Sequence, residues 1–157
     1  MFIVSASAVN YRHEQKNLPK RYQARAIAAT IGDVRVLNLY VPNGKAVGDF
    51  NITPADLDVH DPDAWRDKIL CSAPERQALA DILALGYRDA YRNLHPDTVQ
   101  YSWWDYRMGS LRRNIGMRID LTLCSDNLAL HDAGIDTEPR HWERPSDHAP
   151  AWVAIKP

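Results

Sequence analysis

The sequence lacks long hydrophobic runs and has only two cysteines. Its longest apolar stretches fall far short of the roughly 18 residues that a membrane span needs. The N-terminus lacks a basic region followed by a long apolar run. Cys71 and Cys124 lie in unlike contexts without a paired motif, which favours two reduced, partly buried thiols over a disulfide. We therefore expect a cytoplasmic protein.

Net charge is also nearly absent, at −1, although charge is segregated along the chain. This balance argues against a protein that coats nucleic acid through bulk electrostatics, so any such contact must come from local patches. One basic patch comprises Arg12, Lys16, Lys20, Arg21 and Arg25, and a second comprises Arg107, Arg112, Arg113 and Arg118. An acidic run without a basic residue, suited to a cation or to plain solvation, contains Asp49, Asp56, Asp58, Asp61 and Asp63.

Length and patterning predict a single α/β domain over residues 1–157. A hairpin is predicted across Gly32-Asp33, and its second, nearly all-apolar strand favours a layered α/β arrangement. Helices are expected to begin at Pro62 and Pro74, with Asp61 and Ser72 ahead of them. The ranges predicted as strands are 1–10, 22–31, 34–41, 100–104, 118–124 and 151–155, and those predicted as helices are 62–69, 74–85 and 126–132.

Polar residues follow or interrupt apolar runs in four separate segments. These are Tyr40-Val41-Pro42-Asn43-Gly44, Gly48-Asp49-Phe50-Asn51, Arg118-Ile119-Asp120 and Ser146-Asp147-His148-Ala149-Pro150. A rigid sheet can hold acids, an amide and an imidazole at its strand ends in fixed mutual geometry. Together the segments indicate a metal-assisted phosphodiesterase site.

Each segment also has a plain structural interpretation. Alternation along a strand sends Phe50 into the core and puts Asp49 and Asn51 on the opposite face. There they could serve catalysis or merely end the strand in a turn. His148 has a reference pKa near 6.5, which suits it to proton chemistry, but it could equally lie in a surface turn.

The four segments, in this order and with Trp103-Trp104-Asp105-Tyr106-Arg107 and Asn114-Ile115-Gly116 among them, resemble the exonuclease III family of apurinic/apyrimidinic (AP) endonucleases. That family lies within the wider endonuclease/exonuclease/phosphatase superfamily. The resemblance runs from about Gln23 to Trp152. It implies a truncated four-layered α/β sandwich. It also implies a metal-dependent DNA repair nuclease that hydrolyses phosphodiesters at abasic sites or 3′ ends of duplex DNA.

The resemblance assigns roles to particular residues. Asp49 would orient or deprotonate the attacking water, with Asn51 beside the phosphate. His148 would contact the scissile phosphate, and Asp120 would orient its ring. Tyr40 and Asn43 would reach the substrate, although Tyr40 could instead anchor a sheet edge. Residues expected to contact DNA are Trp103, Trp104, Arg107, Arg112, Arg113 and Asn114, although Trp104 could instead belong to the core.

The sequence departs from the family in its metal ligands. Family members carry an N-terminal Asn and a Gln-Glu pair that supplies a metal-binding Glu, and neither motif is found here. We therefore expect Asp147 to bind Mg²⁺, or Mn²⁺ in its place, together with Asp49, waters or Glu14. Such a weakened site would need a high metal concentration. Met117 stands where many relatives carry an aromatic residue, which puts selectivity for the missing base in doubt.

Two other functions remain open from the sequence. One is a catalytically weak or inactive DNA-binding remnant of the same fold. The other is a phosphatase or nuclease of the superfamily with a different substrate, against which the segment from Trp103 to Asn114 argues. Because the reduced fold should leave a sheet edge or an apolar face uncovered, we also expect a homodimer.

Overall fold

The computed structural model describes residues 2–6, 26–31, 34–39 and 50–155. Within these ranges the strands are β1 (Phe2–Ala6), β2 (Ala26–Ile31), β3 (Val34–Leu39), β4 (Tyr87–Asp89), β5 (Leu123–Ser125), β6 (Leu130–Ile135) and β7 (Ala151–Ile155). The α-helices are α1 (Pro62–Trp65), α2 (Ala73–Leu83) and α3 (Ala90–Leu94). Short 3₁₀ helices span Asp56–Asp58, Arg107–Gly109 and Glu138–His141. None of the described helices is long and apolar enough to cross a membrane.

Strand β7 is the centre of a three-stranded antiparallel sheet in the order β1-β7-β6. Its Val153 pairs with Val4 of β1 on one side and with Ala133 of β6 on the other. Val153 and Ile155 are buried in a cluster with Ala90 of α3. Because β7 begins directly after Pro150, this sheet anchors the C-terminal end of the segment that carries Asp147 and His148.

The predicted hairpin is confirmed, since β2 and β3 pair antiparallel with Ile31 opposite Val34. The predicted outer ends of the two strands, residues 22–25 and 40–41, lie outside the described residues. A second antiparallel pair, β4 with β5, joins two parts of the chain that are distant in sequence.

The predicted helix after Ser72 is also confirmed, as α2. Glu75 accepts hydrogen bonds from the backbone N–H and the hydroxyl of Ser72, at 3.0 and 2.6 Å, which secures the first turn. Leu79 gives α2 its buried contact, in a cluster with Phe50, Ile52 and Leu121. The helix therefore packs against Phe50 and Ile52, on either side of Asn51.

Several predicted elements are wrong. The first helix ends at Trp65 instead of Ile69, and beyond it Asp67 and Leu70 take left-handed φ values of 59° and 75° that no α-helix accommodates. The range 100–104 forms isolated bridges instead of a strand, and in 118–124 only the end joins β5. The range 126–132 is a turn followed by β6, not a helix. Helix α3 and strand β4 were not predicted.

A buried ionic cluster joins these elements, and it corrects the predicted charge patches. Arg118 is fully buried, and its Nε donates to Asp58 Oδ1 at 2.7 Å, while its Nη1 lies 2.7 Å from Asp89 Oδ2. Arg92 of α3 also reaches Asp58 Oδ1, at 2.7 Å. Arg118 is therefore excluded from the predicted DNA-facing patch.

Burial by itself would lower the pKa of Arg118, but the negative charges of Asp89 and Asp58 outweigh it and raise that pKa. The guanidinium therefore keeps its charge inside the fold.

The acidic run also has structural partners within the described residues. Asp58 belongs to the buried cluster, Asp56 pairs with Arg76 at 2.8 Å, and Asp63 pairs with Arg66 at 2.6 Å. Asp61 accepts from the backbone N–H of Ala64 at 2.9 Å, as the predicted helix cap. Within residues 56–63 the run is thus explained by ion pairs and a cap, not by a bound cation.

We predict that Arg118→Met lowers the free energy of unfolding by about 3–5 kcal/mol, because it leaves buried Asp89 without its cation and buried Asp58 with Arg92 alone. Urea denaturation followed by tryptophan fluorescence measures this change. Arg66→Met is the matched control, since it removes an exposed arginine from the pair with Asp63. A loss from Arg118→Met no larger than that of the control would contradict this account of the cluster.

Candidate active site

His148 and Asp120 are in direct contact. The Nδ1 atom of His148 lies 2.8 Å from Oδ2 and 3.1 Å from Oδ1 of Asp120. Because an ionised carboxylate only accepts, Nδ1 carries the proton and donates it. The Asp120 side chain is 9% exposed and that of His148 is 18% exposed, so the pair lies at the edge of the protein interior. Proton chemistry at this ring must then proceed through Nε2.

One buried residue, Ser102, connects the backbone segments that carry Asp120 and His148. Its Oγ accepts from the backbone N–H groups of Ile119 and Asp120, at 3.1 and 3.0 Å. Its carbonyl oxygen accepts from the N–H of Ala149, the residue after His148, at 2.6 Å. Ser102 is fully buried, so the two backbone segments cannot separate without exposing or breaking these bonds. No motif singles out this residue in the sequence.

Asp147 lies beside the pair and is held by the neighbouring segment. Its Oδ2 accepts from the indole Nε1–H of Trp103 at 3.0 Å, and its backbone carbonyl accepts from the N–H of Trp104 at 3.1 Å. Trp103 also forms isolated bridges with Met117 and with His148. The backbone of Trp103 thus lies between the two segments that carry Asp120 and His148.

The donor set near Asp147 fits a hard divalent cation only in part. Mg²⁺ is usually held by one or two carboxylates and several waters, and Asp147 supplies one such carboxylate. The described residues contain no group of three or more His, Cys, Asp or Glu side chains that could hold a metal ion. Two predicted ligands, Asp49 and Glu14, lie outside the described residues.

Asn51 is described, and the burial around it agrees with the predicted alternation. Phe50 and Ile52 are 7% and 8% exposed, while Asn51 between them is half-buried. Its backbone is in the left-handed region, with φ of 46°, so the segment turns here instead of continuing as a strand. The other predicted residues of this part of the chain, Tyr40, Asn43 and Asp49, lie outside the described residues.

An exposed loop carries most of the residues predicted to contact DNA. Arg107, Arg112, Arg113 and Asn114 are all exposed. The loop also presents two apolar side chains, Tyr106 and Met108, which are 63% and 79% exposed. Guanidinium groups beside exposed apolar side chains are suited to phosphate contact and base stacking.

The structure corrects the predicted DNA contact of Trp104, because this residue lies in the core. It is only 2% exposed and packs with Tyr101 and Ala149, which favours the core interpretation over stacking on a base. Its Nε1–H donates to Asn114 Oδ1 at 3.2 Å, which fixes the side chain of that exposed residue. A Cβ on Gly116 would lie 2.5 Å from Trp104 Nε1, so the chain needs glycine at this close approach. Trp104 therefore supports the loop from beneath.

An open cavity of about 500 Å³ lies under the same loop. Arg112 and Asn114 line it together with Gln100, Leu111, Thr137, His141 and the edge of Trp104. Asp120, Asp147 and His148 are not among its lining residues, so the cavity is separate from the histidine–carboxylate pair.

Comparison with known proteins agrees with this geometry. The profile of the Endonuclease/Exonuclease/phosphatase family matches residues 3–148. Exodeoxyribonuclease III of Haemophilus influenzae is 41% identical over 119 residues, which are 70% of this chain and 45% of that protein. The exodeoxyribonuclease of Bacillus subtilis is 37% identical over 111 residues, which are 69% of this chain and 42% of that protein. The chain thus spans less than half the length of these relatives.

The chain is also similar to solved structures of nucleases and of a 3′ phosphatase. The 3′ phosphatase NExo from Neisseria, bound to a product DNA hairpin, matches with a TM-score of 0.82 and 38% identity, over 88% of this chain and 67% of that chain. An AP endonuclease from Archaeoglobus fulgidus matches with a TM-score of 0.77 and 30% identity, over 85% of this chain and 65% of that chain. These likenesses confirm the predicted fold class and the predicted resemblance to the exonuclease III family.

We predict that Ser102→Ala lowers the free energy of unfolding by about 1–3 kcal/mol or more, because two buried backbone N–H groups lose their acceptor. Urea denaturation measures this loss. The matched control is Ser125→Ala, since Ser125 is partly buried and its hydroxyl makes no hydrogen bond within the described residues. Equal effects of the two substitutions would show that the Ser102 hydroxyl does not hold the site together.

Proposed function

The chain belongs to the endonuclease/exonuclease/phosphatase family, and from that premise we propose that it is a metal-dependent DNA repair nuclease of exonuclease III type. It would hydrolyse phosphodiester bonds at abasic sites or at 3′ ends of duplex DNA. The observation that carries this proposal is the contact between His148 and Asp120, with Asp147 next along the chain and held by Trp103. The similarity to NExo adds 3′-terminal phosphate as a candidate substrate.

The proposed reaction is an in-line attack of water on phosphorus with inversion. Asp49 would orient the water and accept its proton, and Asn51 and Tyr40 would bind the phosphoryl oxygens. His148 would contact the same group through Nε2. Because Nδ1–H already serves Asp120, the ring can donate at Nε2 only when both nitrogens are protonated.

Asp147 would hold the Mg²⁺ or Mn²⁺ ion, together with Asp49, waters or Glu14. The ion, when bound, neutralises phosphate charge and stabilises the leaving 3′-oxygen. Among the described residues, Asp147 is the one carboxylate that we assign to the metal. We therefore propose that half-maximal activity requires a high concentration of metal. The exposed Arg107, Arg112, Arg113 and Asn114 would grip the DNA backbone, and half-buried Trp103 would contact the sugar or base of the lesion.

The alternative, a DNA-binding remnant without turnover, is not favoured, because the described part of the chain keeps the histidine, its orienting carboxylate and Asp147 in one site. We further propose that the protein acts in the cytoplasm. The homodimer also stays a prediction, which light scattering at high protein concentration tests. A mass near twice 17.9 kDa supports it, and a strictly monomeric mass contradicts it.

We predict that the protein incises a fluorescent duplex carrying one abasic analogue when Mg²⁺ or Mn²⁺ is present and not when a chelator replaces it. His148→Ala and Asp49→Asn should each lower the rate by about 100-fold or more, as expected for loss of a group that handles protons or phosphate. A second duplex with a 3′-terminal phosphate tests the other candidate substrate.

His131→Ala is the matched control, because His131 is an exposed histidine on β6 and belongs to no part of the proposed site. It should leave the rate unchanged. Tight binding of the duplex without incision in either metal would overturn the nuclease and support the binding remnant. Incision that survives His148→Ala would overturn the assigned site.

A further inference from the structure

Arg140 is a buried arginine without an acidic partner among the described residues. It is 4% exposed, yet no described carboxylate lies within ion-pair distance of it. Its Nη2 donates to the carbonyl oxygen of Trp104 at 3.2 Å, while Nε and Nη1 are buried and have no hydrogen-bond partner in the part of the chain that the structure describes. Arg118, by contrast, is neutralised by two carboxylates. A buried cation without a counter-charge is costly and calls for an explanation.

Among the described residues, two aromatic rings rather than a carboxylate lie near the Arg140 guanidinium. The guanidinium carbon of Arg140 lies 5.9 Å from the centroid of the Trp104 ring and 5.6 Å from that of Tyr106. Both distances are within the range in which a cation is attracted to the face of an aromatic ring, and the attraction is stronger when the cation is desolvated. Arg140 thereby joins a ring of the core to a ring of the exposed loop.

The contacts of Arg140 continue along the chain toward Asp147. Arg140 lies in the 3₁₀ helix Glu138–His141, seven residues before Asp147. Between them, the hydroxyl of Tyr106 donates to the carbonyl oxygen of Pro145 at 2.8 Å. At Asp147 itself, Trp104 N–H and Trp103 Nε1–H are the donors, at 3.1 and 3.0 Å. We call this row of contacts, between residues 103–106 and residues 140–147, the seam.

We propose that Arg140 is a positioning residue of the active site, which closes the seam and thereby fixes Asp147 and His148 relative to Asp120. The proposal rests on the proposed nuclease function. The flat guanidinium of Arg140 lies near the rings of Trp104 and Tyr106 and donates an N–H to the Trp104 carbonyl. Lysine keeps the charge but has neither the plane nor the fork of donors, so it cannot make all three contacts at once. Hence the role depends on the shape of the group as well as on its charge.

The experiment compares Arg140→Lys and Arg140→Met with the wild type and with Arg66→Met, which removes an exposed arginine elsewhere. For each protein we would measure kcat, KM and the Mg²⁺ concentration for half-maximal incision of the abasic duplex. In parallel, the indole N–H signals of Trp103 and Trp104 would be recorded in ¹H–¹⁵N spectra, after assignment with Trp103→Phe. Thermal unfolding shows whether each variant is folded.

We expect Arg140→Lys to remain folded, to lose about 10-fold or more in kcat, and to need more Mg²⁺, because a small displacement of reacting groups has a large effect on rate. KM should change less than kcat. The Trp103 indole signal should shift toward that of an unbonded indole, whereas Arg66→Met should change none of these quantities. Arg140→Met should show larger effects of the same kind, and if it does not fold, Arg140→Lys alone decides.

A variant Arg140→Lys with wild-type kcat, Mg²⁺ requirement and indole signals would overturn the proposal. A lower unfolding temperature with unchanged kcat and unchanged Trp103 signal would also overturn it, since that result assigns Arg140 to stability alone. If the wild type incises no substrate, the proposed function fails. The indole signals then still decide whether Arg140 positions Asp147, so the two failures can be told apart.

Discussion

The buried ion pair between Asp58 and Arg118 is the constraint on which the rest of the described structure depends. The two residues are 60 positions apart, and their 2.7 Å contact ties the 3₁₀ helix before α1 to the segment that leads to Asp120. Arg92 and Asp89 bring α3 and β4 to the same cluster. Because an unpaired buried carboxylate is costly, this cluster favours the arrangement that keeps these segments together. Asp120 follows Arg118 by two residues, so its position is fixed with the cluster.

A few polar groups connect this ion-pair cluster to the candidate active site. Ser102 joins the Asp120 segment to the residue after His148, and Trp103 joins it to Asp147. Ser102 is fully buried and Trp103 is half-buried, and breaking either set of hydrogen bonds leaves polar groups without partners, which is costly. Strand β7 then fixes the far end of the histidine segment. The site is thus held by the core, while the residues that would meet DNA lie on an exposed loop.

The local motifs were predictable from the sequence, and the contacts between distant segments were predictable only in part. The contact between Asp120 and His148 was expected from the resemblance to the exonuclease III family, and it is present. Arg118 was assigned to a surface patch, because adjacent arginines look alike in a sequence and only the fold reveals its buried partner, Asp58. Trp104 was assigned to DNA from the family resemblance, with the core as the alternative, and its burial favours that alternative. Strand β6 was missed because the exposed His131 and Asp132 and a bulge after Leu130 obscure its alternation.

In this structure the fold holds His148 on Asp120 through a protonated Nδ1. Long-range ¹H–¹⁵N correlation on protein labelled in its histidines, near neutral pH, tests this, with His148→Gln to assign the ring. We expect the His148 ring to carry its proton on Nδ1, and Asp120→Asn to perturb this signal more than any other histidine signal. A His148 ring protonated on Nε2 alone, or one that does not respond to Asp120→Asn, would contradict it.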